Sequence, residues 1–362
     1  MDRDDSIPEE RTAATPVPPG GMAIPRMPSM HRYKDNQVKP VKPIPAVSAP
    51  AGGLKLMRIT LPSSDKPAGG VVSPIPPSSL PTGKPKIKSE RVYVEGLQGM
   101  GNIYSLDVSP HSSLTLSTSE GIHPPIPISI PHPAYCLLGV EGRGEWVVCM
   151  PSHPPWIVDA VSGGVSICPG RGYRGVWEGR QIIPSARIHA LMLYYLDGEG
   201  GLSTVHIPSR EGRVHTGDRV DAYCVLPGGR ICTVLGDRIL SQGIDQPLPV
   251  QDKWTALGGN KDRVIVAGKR YGLMVDPHSL QTVDRVEYAL PYVPIEVICL
   301  DRVCMLILPW VYTALVSTEG DKMTLLSLER VVDGPIWCAC IGNKGETLIG
   351  GYKRIHRLSI EY

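Results

Sequence analysis

Residues 263–286, RVIVAGKRYGLMVDPHSLQTVDRV, contain three short apolar or β-branched runs separated by turn residues. The runs cover 263–267, 272–275 and 282–286, and Asp276-Pro-His-Ser279 separates the last two. This pattern is typical of consecutive strands joined by tight turns. After residue 90, no window keeps apolar residues at helical spacing for three turns without an intervening Gly or Pro. We therefore expect an all-β body.

The same unit, an apolar run, a polar turn and a second apolar run, occurs seven times between residues 104 and 350. The second runs begin at 114, 146, 202, 231, 264, 303 and 347. The intervals vary, but their mean is about 39 residues, close to the length of one blade of a β-propeller. Several copies continue into a further hairpin, which gives four strands for each repeat. The sequence predicts a seven-bladed β-propeller, with six blades as the alternative.

The segment 106–121, LDVSPHSSLTLSTSEG, resembles the inner hairpin of a blade in the WD-repeat-like β-propeller superfamily. The resemblance covers this one blade well and the others only by pattern. The family's Trp-Asp dipeptide and its opening Gly-His pair are both missing, so the subfamily stays open. The resemblance implies that a strand from the start of the propeller closes the last blade. Val92-Tyr-Val94 is the strand we expect in that position, beside 355–360.

The interval between the second runs at 146 and 202 is longer than a blade requires. It indicates an insertion, and we expect 169–175, PGRGYRG, to form an exposed loop. The interval after it, from 202 to 231, is short for a complete blade. This short interval is the reason why six blades remain an alternative.

Residues 1–90 differ in composition from the rest of the chain. They hold 17 of the 37 Pro, none of the nine Cys or six Trp, and only one Tyr, Tyr33. Such a segment cannot bury enough apolar surface to offset its chain entropy. We therefore expect two regions, a disordered, Pro-rich N-terminal arm over 1–90 and a WD-like propeller over 91–362.

The arm is basic, with 13 Lys and Arg against eight Asp and Glu, whereas residues 91–362 have a net charge of −3. A basic arm is suited to an acidic surface or to nucleic acid, although solvation of a disordered segment also explains it. If the arm binds nucleic acid, the residues expected to contact phosphate are Lys84, Lys86, Lys88, Arg26, Arg32, Lys34, Lys39 and Lys42. The cluster 84–88 is otherwise a solvated hinge before the body.

One apolar island lies within the arm, at 54–61, LKLMRITL. Its alternation is imperfect, but the segment is suited to adding as a strand to a sheet edge. Either a partner or the propeller's own flank provides that edge. The candidate docking residues are Leu54, Leu56, Met57, Ile59 and Leu61.

Signatures of catalysis and of cofactor binding are missing from the sequence. It contains no Gly-x-Ser-x-Gly nucleophile elbow, no phosphate-binding loop and no dinucleotide-binding Gly-x-Gly-x-x-Gly between a strand and a helix. No quartet of Cys and His has the spacing of a zinc site. We therefore expect no catalytic residues, no cofactor and no metal. A propeller enzyme, with a channel site assembled from several blades, stays an alternative.

The chain opens with MDRDD, which is acidic and is followed by no apolar run, so a secretory signal is not expected. The nine Cys are then expected to be free thiols in the cytoplasm or nucleus. The longest apolar stretch, 303–316, is interrupted by Pro309 and is shorter than a membrane span of about 20 residues. We interpret it as two buried strands that meet at Pro309-Trp310.

These observations favour a non-enzymatic scaffold or adaptor subunit that binds other protein subunits. The propeller would be the rigid platform and the arm the tether, since a disordered segment orders on contact with its partner. The alternatives are binding of nucleic acid or ribonucleoprotein through the arm, and a propeller enzyme. A fold alone does not specify a function.

Overall fold

The computed structural model describes residues 85–93, 101–108, 114–119, 121–123, 136–140, 142–174, 186–342 and 345–361. Within these ranges the backbone forms strands, turns and bends and contains no helix. The all-β prediction is therefore confirmed.

The strands are short, three to seven residues each. In chain order they are β1 (Lys86–Val92), β2 (Ile103–Val108), β3 (Leu114–Thr118), β4 (Gly121–His123), β5 (Cys136–Val140), β6 (Glu145–Cys149), β7 (Trp156–Asp159), β8 (Val165–Ile167), β9 (Ala186–His189), β10 (Met192–Leu196), β11 (Leu202–His206), β12 (Glu211–Thr216), β13 (Ala222–Val225), β14 (Ile231–Leu235), β15 (Arg238–Ser241), β16 (Ile244–Pro247), β17 (Ala256–Gly259), β18 (Val264–Ala267), β19 (Tyr271–Val275), β20 (Thr282–Glu287), β21 (Glu296–Cys299), β22 (Val303–Ile307), β23 (Tyr312–Ser317), β24 (Thr324–Arg330), β25 (Ile336–Ile341), β26 (Thr347–Gly351) and β27 (Ile355–Glu361).

These strands form antiparallel sheets of consecutive members, as the blades of a β-propeller do. Five four-stranded sheets are β5–β8, β9–β12, β13–β16, β17–β20 and β21–β24, and a sixth consists of β25–β27 with β1. The sheet β2–β4 has three strands among the described residues. The described residues thus form seven sheets, six with four strands and one with three. The sequence predicted seven repeats, with six as the alternative.

Apolar clusters fill the space between sheets that are neighbours in the chain. Val234, Val266 and Leu273, for example, belong to one cluster between β13–β16 and β17–β20. Another cluster contains Leu116 and Cys338 and joins β2–β4 to β25–β27. Because the first sheet packs against the last in this way, the arrangement closes into a ring.

The second strand of a sheet lies between two neighbouring sheets and is therefore buried on both faces. All five residues are buried in β3, in β22 and in β26, whereas the outer strand β20 alternates half-buried and exposed positions. Six of the seven predicted second runs coincide with such strands to within one residue. The exception begins at Leu202, which starts the third strand β11, since β9 and β10 precede it. This assignment explains the irregular spacing before and after residue 202.

The closing strand begins earlier than the sequence indicated. β1, Lys86–Val92, pairs antiparallel with β27, and Ile87 lies opposite Ile360. The expected strand Val92–Val94 overlaps it only at Val92. Burial of Ile87, which is 7% exposed, in the cluster between the last two sheets gives the physical reason for this register.

The expected exposed loop at 169–175 is only partly exposed. Pro169, Gly170 and Arg171 are exposed, but Tyr173 is 1% exposed and packs between β5–β8 and β9–β12. Its backbone forms isolated bridges with Pro151 and Asp197. The aromatic ring anchors the insertion because burying it removes a large apolar surface from water.

The apolar stretch 303–316 forms β22 and β23, joined through Pro309 and Trp310, as predicted. Trp310 has a φ of +78°, the left-handed conformation that this tight connection requires. Across the described ranges, no helix has the length and apolar character needed to cross a membrane.

Candidate functional site

The first strands of the sheets stand side by side around the centre of the ring. β2 contacts both β5 and β25, and contacts also join β5 to β9, β13 to β17, β17 to β21 and β21 to β25. The central channel of a propeller is a shared surface to which every blade contributes. Side chains of these strands are therefore the first candidates for a functional site.

An ion pair connects the sheet β9–β12 to the sheet β21–β24 at this centre. Arg187 in β9 donates from Nη2 to Oε1 of Glu296 in β21, at 2.5 Å. The Glu296 side chain is 7% exposed and that of Arg187 is 38% exposed. Through this contact Glu296 raises the pKa of Arg187.

A cavity of about 30 Å³ lies beside this ion pair and is lined by Arg187, Tyr223, Leu257 and Glu296 among others. Burial raises the pKa of Tyr223, whose hydroxyl donates to the carbonyl oxygen of Tyr194 at 3.1 Å. A volume of this size holds about one water molecule. The arrangement is suited to holding sheets together.

A second acidic position on the inner strands is Asp107 in β2. Its Oδ2 accepts the backbone N–H of Gly139 at 3.1 Å, and burial raises the pKa of its carboxyl group. Burial also raises the pKa of the Cys340 thiol well above its ordinary value, with a contribution from Asp107. A thiol with a raised pKa is a poor nucleophile because the thiolate is the reactive species.

The nine cysteines are all unbonded, and seven of them are buried. Six stand directly opposite one another on the first two strands of three sheets, as the pairs Cys136/Cys149, Cys224/Cys232 and Cys299/Cys304. Burial raises the pKa of Cys149, and the contact with Cys304 raises that of Cys299. These thiols therefore fill the core as small apolar side chains. In the described part of the chain, no three or more His, Cys, Asp or Glu are grouped so that they could hold a metal ion.

The residues that the sequence predicted for docking and for phosphate contact lie mostly outside the described residues. This applies to Leu54, Leu56, Met57, Ile59 and Leu61, and to Lys84, Arg26, Arg32, Lys34, Lys39 and Lys42. Lys86 and Lys88 are described, and they lie in β1 rather than in a solvated hinge. The Nζ of Lys88 is 3.0 Å from Oε1 of Glu361. The binding role of the predicted docking and phosphate-contact residues remains a prediction.

The structure reveals an apolar edge that the sequence analysis missed. Val165 and Ile167 on the outer strand β8 are 42% and 60% exposed, and Val161 in the preceding turn is 84% exposed. β8 pairs with β7 on one side only, among the described strands. We call Val161, Val165 and Ile167 the apolar edge. The alternation at 165 and 167 is visible in the sequence, but nothing there shows that β8 is the outermost strand.

The sequence matches no protein-family model and no curated protein. Solved structures with the same fold do exist. A chain of the crystal structure of the Mitotic Checkpoint Complex aligns at a TM-score of 0.56 and 9% identity, over 83% of this chain and 99% of that one.

Two further similar structures come from B. thetaiotaomicron, extracellular domains assigned to a hybrid two component system and to a one component system. Their TM-scores are 0.53 and 0.52, with 11% and 10% identity over 76% and 75% of this chain. This chain spans 40% of the length of each. At such identities the likeness establishes the fold alone, in agreement with the propeller arrangement of the sheets.

Proposed function

We propose that this chain is a non-enzymatic platform for protein–protein interaction, a scaffold or adaptor subunit of a larger complex. The observation that carries the proposal is the apolar edge on β8. Edge strands of monomeric proteins are usually protected by charge, proline or a covering element, because an exposed apolar edge invites association. An edge with three exposed aliphatic side chains is therefore suited to a protein partner.

Two further observations support a binding role over catalysis. Among the described residues, the inner strands present an ion pair, buried thiols and a cavity of about 30 Å³, an arrangement suited to holding sheets together. The similar chain in the Mitotic Checkpoint Complex is itself part of a complex. In the proposal, residues before β1 act as the tether and the propeller as the rigid part.

We place this function in the cytoplasm or nucleus as part of the same proposal. The support is chemical, since all nine cysteines are unbonded. In a secreted protein, the opposed cysteine pairs would be exposed to an oxidising environment, in which disulfide bonds form and persist.

The experiment is quantitative affinity capture with the full chain and with single variants at matched edge positions. Ile167→Asp places a charge on the apolar edge. Val283→Asp places the same charge on the outer strand β20 of another sheet, where Val283 is 43% exposed. We expect stoichiometric partners to be lost with Ile167→Asp and kept with Val283→Asp. Identical partner sets for the two variants would contradict the role of the edge.

The tether is tested separately by comparing the full chain with a chain that begins at residue 85. That starting point keeps β1, which a start at residue 91 would remove. We expect the shorter chain to lose at least one partner. If both recover the same partners, the N-terminal residues recruit nothing.

A further inference from the structure

A pocket of about 400 Å³ opens between the loop before β25 and the turn that joins β26 to β27. Its walls include the apolar residues Val332, Pro335 and Ile336 on the loop side. Tyr352, which is 54% exposed, lines it on the turn side. The pocket thus has room for a ligand of several heavy atoms and an apolar surface on which a carbon skeleton can lie.

The polar side of this pocket is cationic. Lys353, Arg354 and His356 line it, and Arg91 stands opposite His356 on the neighbouring strand β1. The one carboxylate in the lining, that of Asp333, is 3.1 Å from Nη2 of Arg330.

Two carboxylates on the neighbouring strands β1 and β27 also have partners. Glu90 pairs with Arg357 and Glu361 with Lys88, at 3.9 and 3.0 Å. By contrast, Arg91, Lys353 and Arg354 have no carboxylate partner among the residues that the structure describes. Arg91 and Lys353 instead lie over the rings of Tyr93 and Tyr352, at 4.9 and 5.2 Å from the ring centres. Lys353 and Arg354 line the pocket itself, and two cations without a carboxylate partner in the described part of the chain create a site that favours an anion.

The positive charge around the pocket affects the pKa of His356. Burial, together with Arg354 and Arg91, lowers its pKa below the ordinary 6.5, while Asp333 acts in the opposite direction. Its Nδ1 is 3.1 Å from the hydroxyl of Ser89. The ring is therefore neutral at physiological pH in the free protein. An anion in the pocket would offset the effect of the two arginines and raise the pKa again.

We propose that this pocket binds a phosphate monoester, with Arg354 and Lys353 facing the phosphate oxygens and the apolar wall at Val332 and Pro335 facing the carbon skeleton. A guanidinium group matches the oxygen geometry of phosphate and donates two parallel hydrogen bonds to it. The site is separate from the apolar edge on β8 and does not depend on the proposed platform function.

The test is titration of the full chain with phenyl phosphate, followed by calorimetry, with phenol as the uncharged comparison. We expect saturable binding of phenyl phosphate and none of phenol. Arg354→Gln should weaken the affinity at least about fivefold, since it removes a charge-assisted contact. Arg285→Gln, which changes an exposed arginine on β20, should leave the affinity unchanged.

A second measurement follows the imidazole of His356 by NMR, its signal being identified by its loss in His356→Gln. Phenyl phosphate should raise the pKa of His356, and a change in folding alone would not produce this effect. The proposal is overturned if Arg354→Gln binds phenyl phosphate as tightly as the unaltered chain does. An unchanged His356 titration at saturation would also overturn it.

The source of the phosphate is distinguished by repeating the titration with inorganic phosphate and with a phosphoserine peptide. Binding of the peptide about tenfold tighter than phenyl phosphate supports a phosphorylated protein as the ligand. Equal or weaker binding of the peptide supports a small phosphate ester. In both cases Arg354→Gln must reduce the affinity.

Discussion

Arg187 and Glu296 are 109 positions apart in the sequence, yet their charged groups meet at 2.5 Å near the centre of the ring. The two residues lie on β9 and β21, the first strands of the sheets β9–β12 and β21–β24. Side chains of the two sheets between them line the adjoining small cavity. The pair therefore joins two sheets that are not neighbours in the chain and stabilises the closed ring.

We expect Glu296→Gln to lower the free energy of unfolding by about 1–3 kcal/mol, because it leaves the Arg187 charge without its partner. The value is below that of a fully buried pair, since solvent reaches the guanidinium and screens its charge. Urea denaturation measures the change. The double variant Arg187→Met with Glu296→Leu should recover part of the loss, and a double variant less stable than Glu296→Gln would contradict this interpretation.

Glu145 makes stability depend on acidic pH. Its carboxylate accepts hydrogen bonds from Arg143 and Arg210, each at 2.6 Å. Burial alone would raise the pKa of Glu145, but the two arginines lower it below 4.5. The stabilisation is therefore present above pH 4.5 and is lost as pH falls through the lowered pKa.

The matched change is Glu145→Gln, which removes the charge and keeps the size of the side chain. We expect it to cost about 1 kcal/mol at pH 7, since both arginines are partly exposed. The cost should shrink as pH falls through the lowered pKa of Glu145. Thermal unfolding of both proteins at several pH values provides the measurement, and a cost independent of pH would count against the proposed role of the carboxylate.

Asp107 should make stability depend on pH in the sense opposite to that of Glu145. Because burial raises the pKa of its carboxyl group, the ionised form destabilises the fold, and stability rises as pH falls through the raised pKa. Asp107→Asn keeps an acceptor for the N–H of Gly139. We expect this variant to melt at a higher temperature than the unaltered chain at pH 8 and at nearly the same temperature at pH 4. A lower melting temperature at pH 8 would be inconsistent with a destabilising charge.

Gly258 tests the close approach of two inner strands. A Cβ at this position would lie 2.4 Å from the carbonyl oxygen of Val297. We expect Gly258→Ala to destabilise the fold by about 1–3 kcal/mol through overpacking between β17 and β21. At Gly217 a Cβ would meet nothing within 4 Å, so Gly217→Ala should change stability by less than about 0.5 kcal/mol. Equal effects in urea denaturation would contradict the packing argument.

The closing strand is tested by two chains that differ only in β1, one beginning at residue 85 and the other at residue 93. The second chain loses the pairing along β27 and the burial of Ile87. We expect it to unfold at least about 5 °C lower, which corresponds to a loss of a few kcal/mol for a domain of this size. Equal melting temperatures would show that β1 contributes nothing to closure.

Much of the strand order could be predicted because its signals are local. Hairpins such as that of β18 and β19 consist of two apolar runs and a turn, and all three parts lie within about a dozen residues. The prediction failed at Leu202 for a local reason as well. The run 186–189 precedes the visible hairpin and is less apolar than the runs of that hairpin, so its sequence does not mark it as the first strand of the sheet.

The candidate sites could not be predicted in this way. Nothing in the sequence around Arg187 indicates that Glu296 is its partner, and nothing around Glu296 indicates Arg187. Tyr173 lies in a Gly- and Arg-rich segment that has the pattern of a surface loop. Arg91 and His356 belong to opposite ends of the propeller sequence and stand opposite each other only because β1 pairs with β27. Contacts of this kind depend on how the sheets are placed, and no local pattern encodes that placement.

The short antiparallel hairpins of the body follow from local sequence, because strand propensity and turn chemistry act over a few residues. The strand that closes the ring, the charges that meet at its centre, the apolar edge and the cationic pocket all depend on how distant segments pack. Each of these depends on closure, since a ring brings the first and last sheets into contact and leaves the outer strands at its circumference.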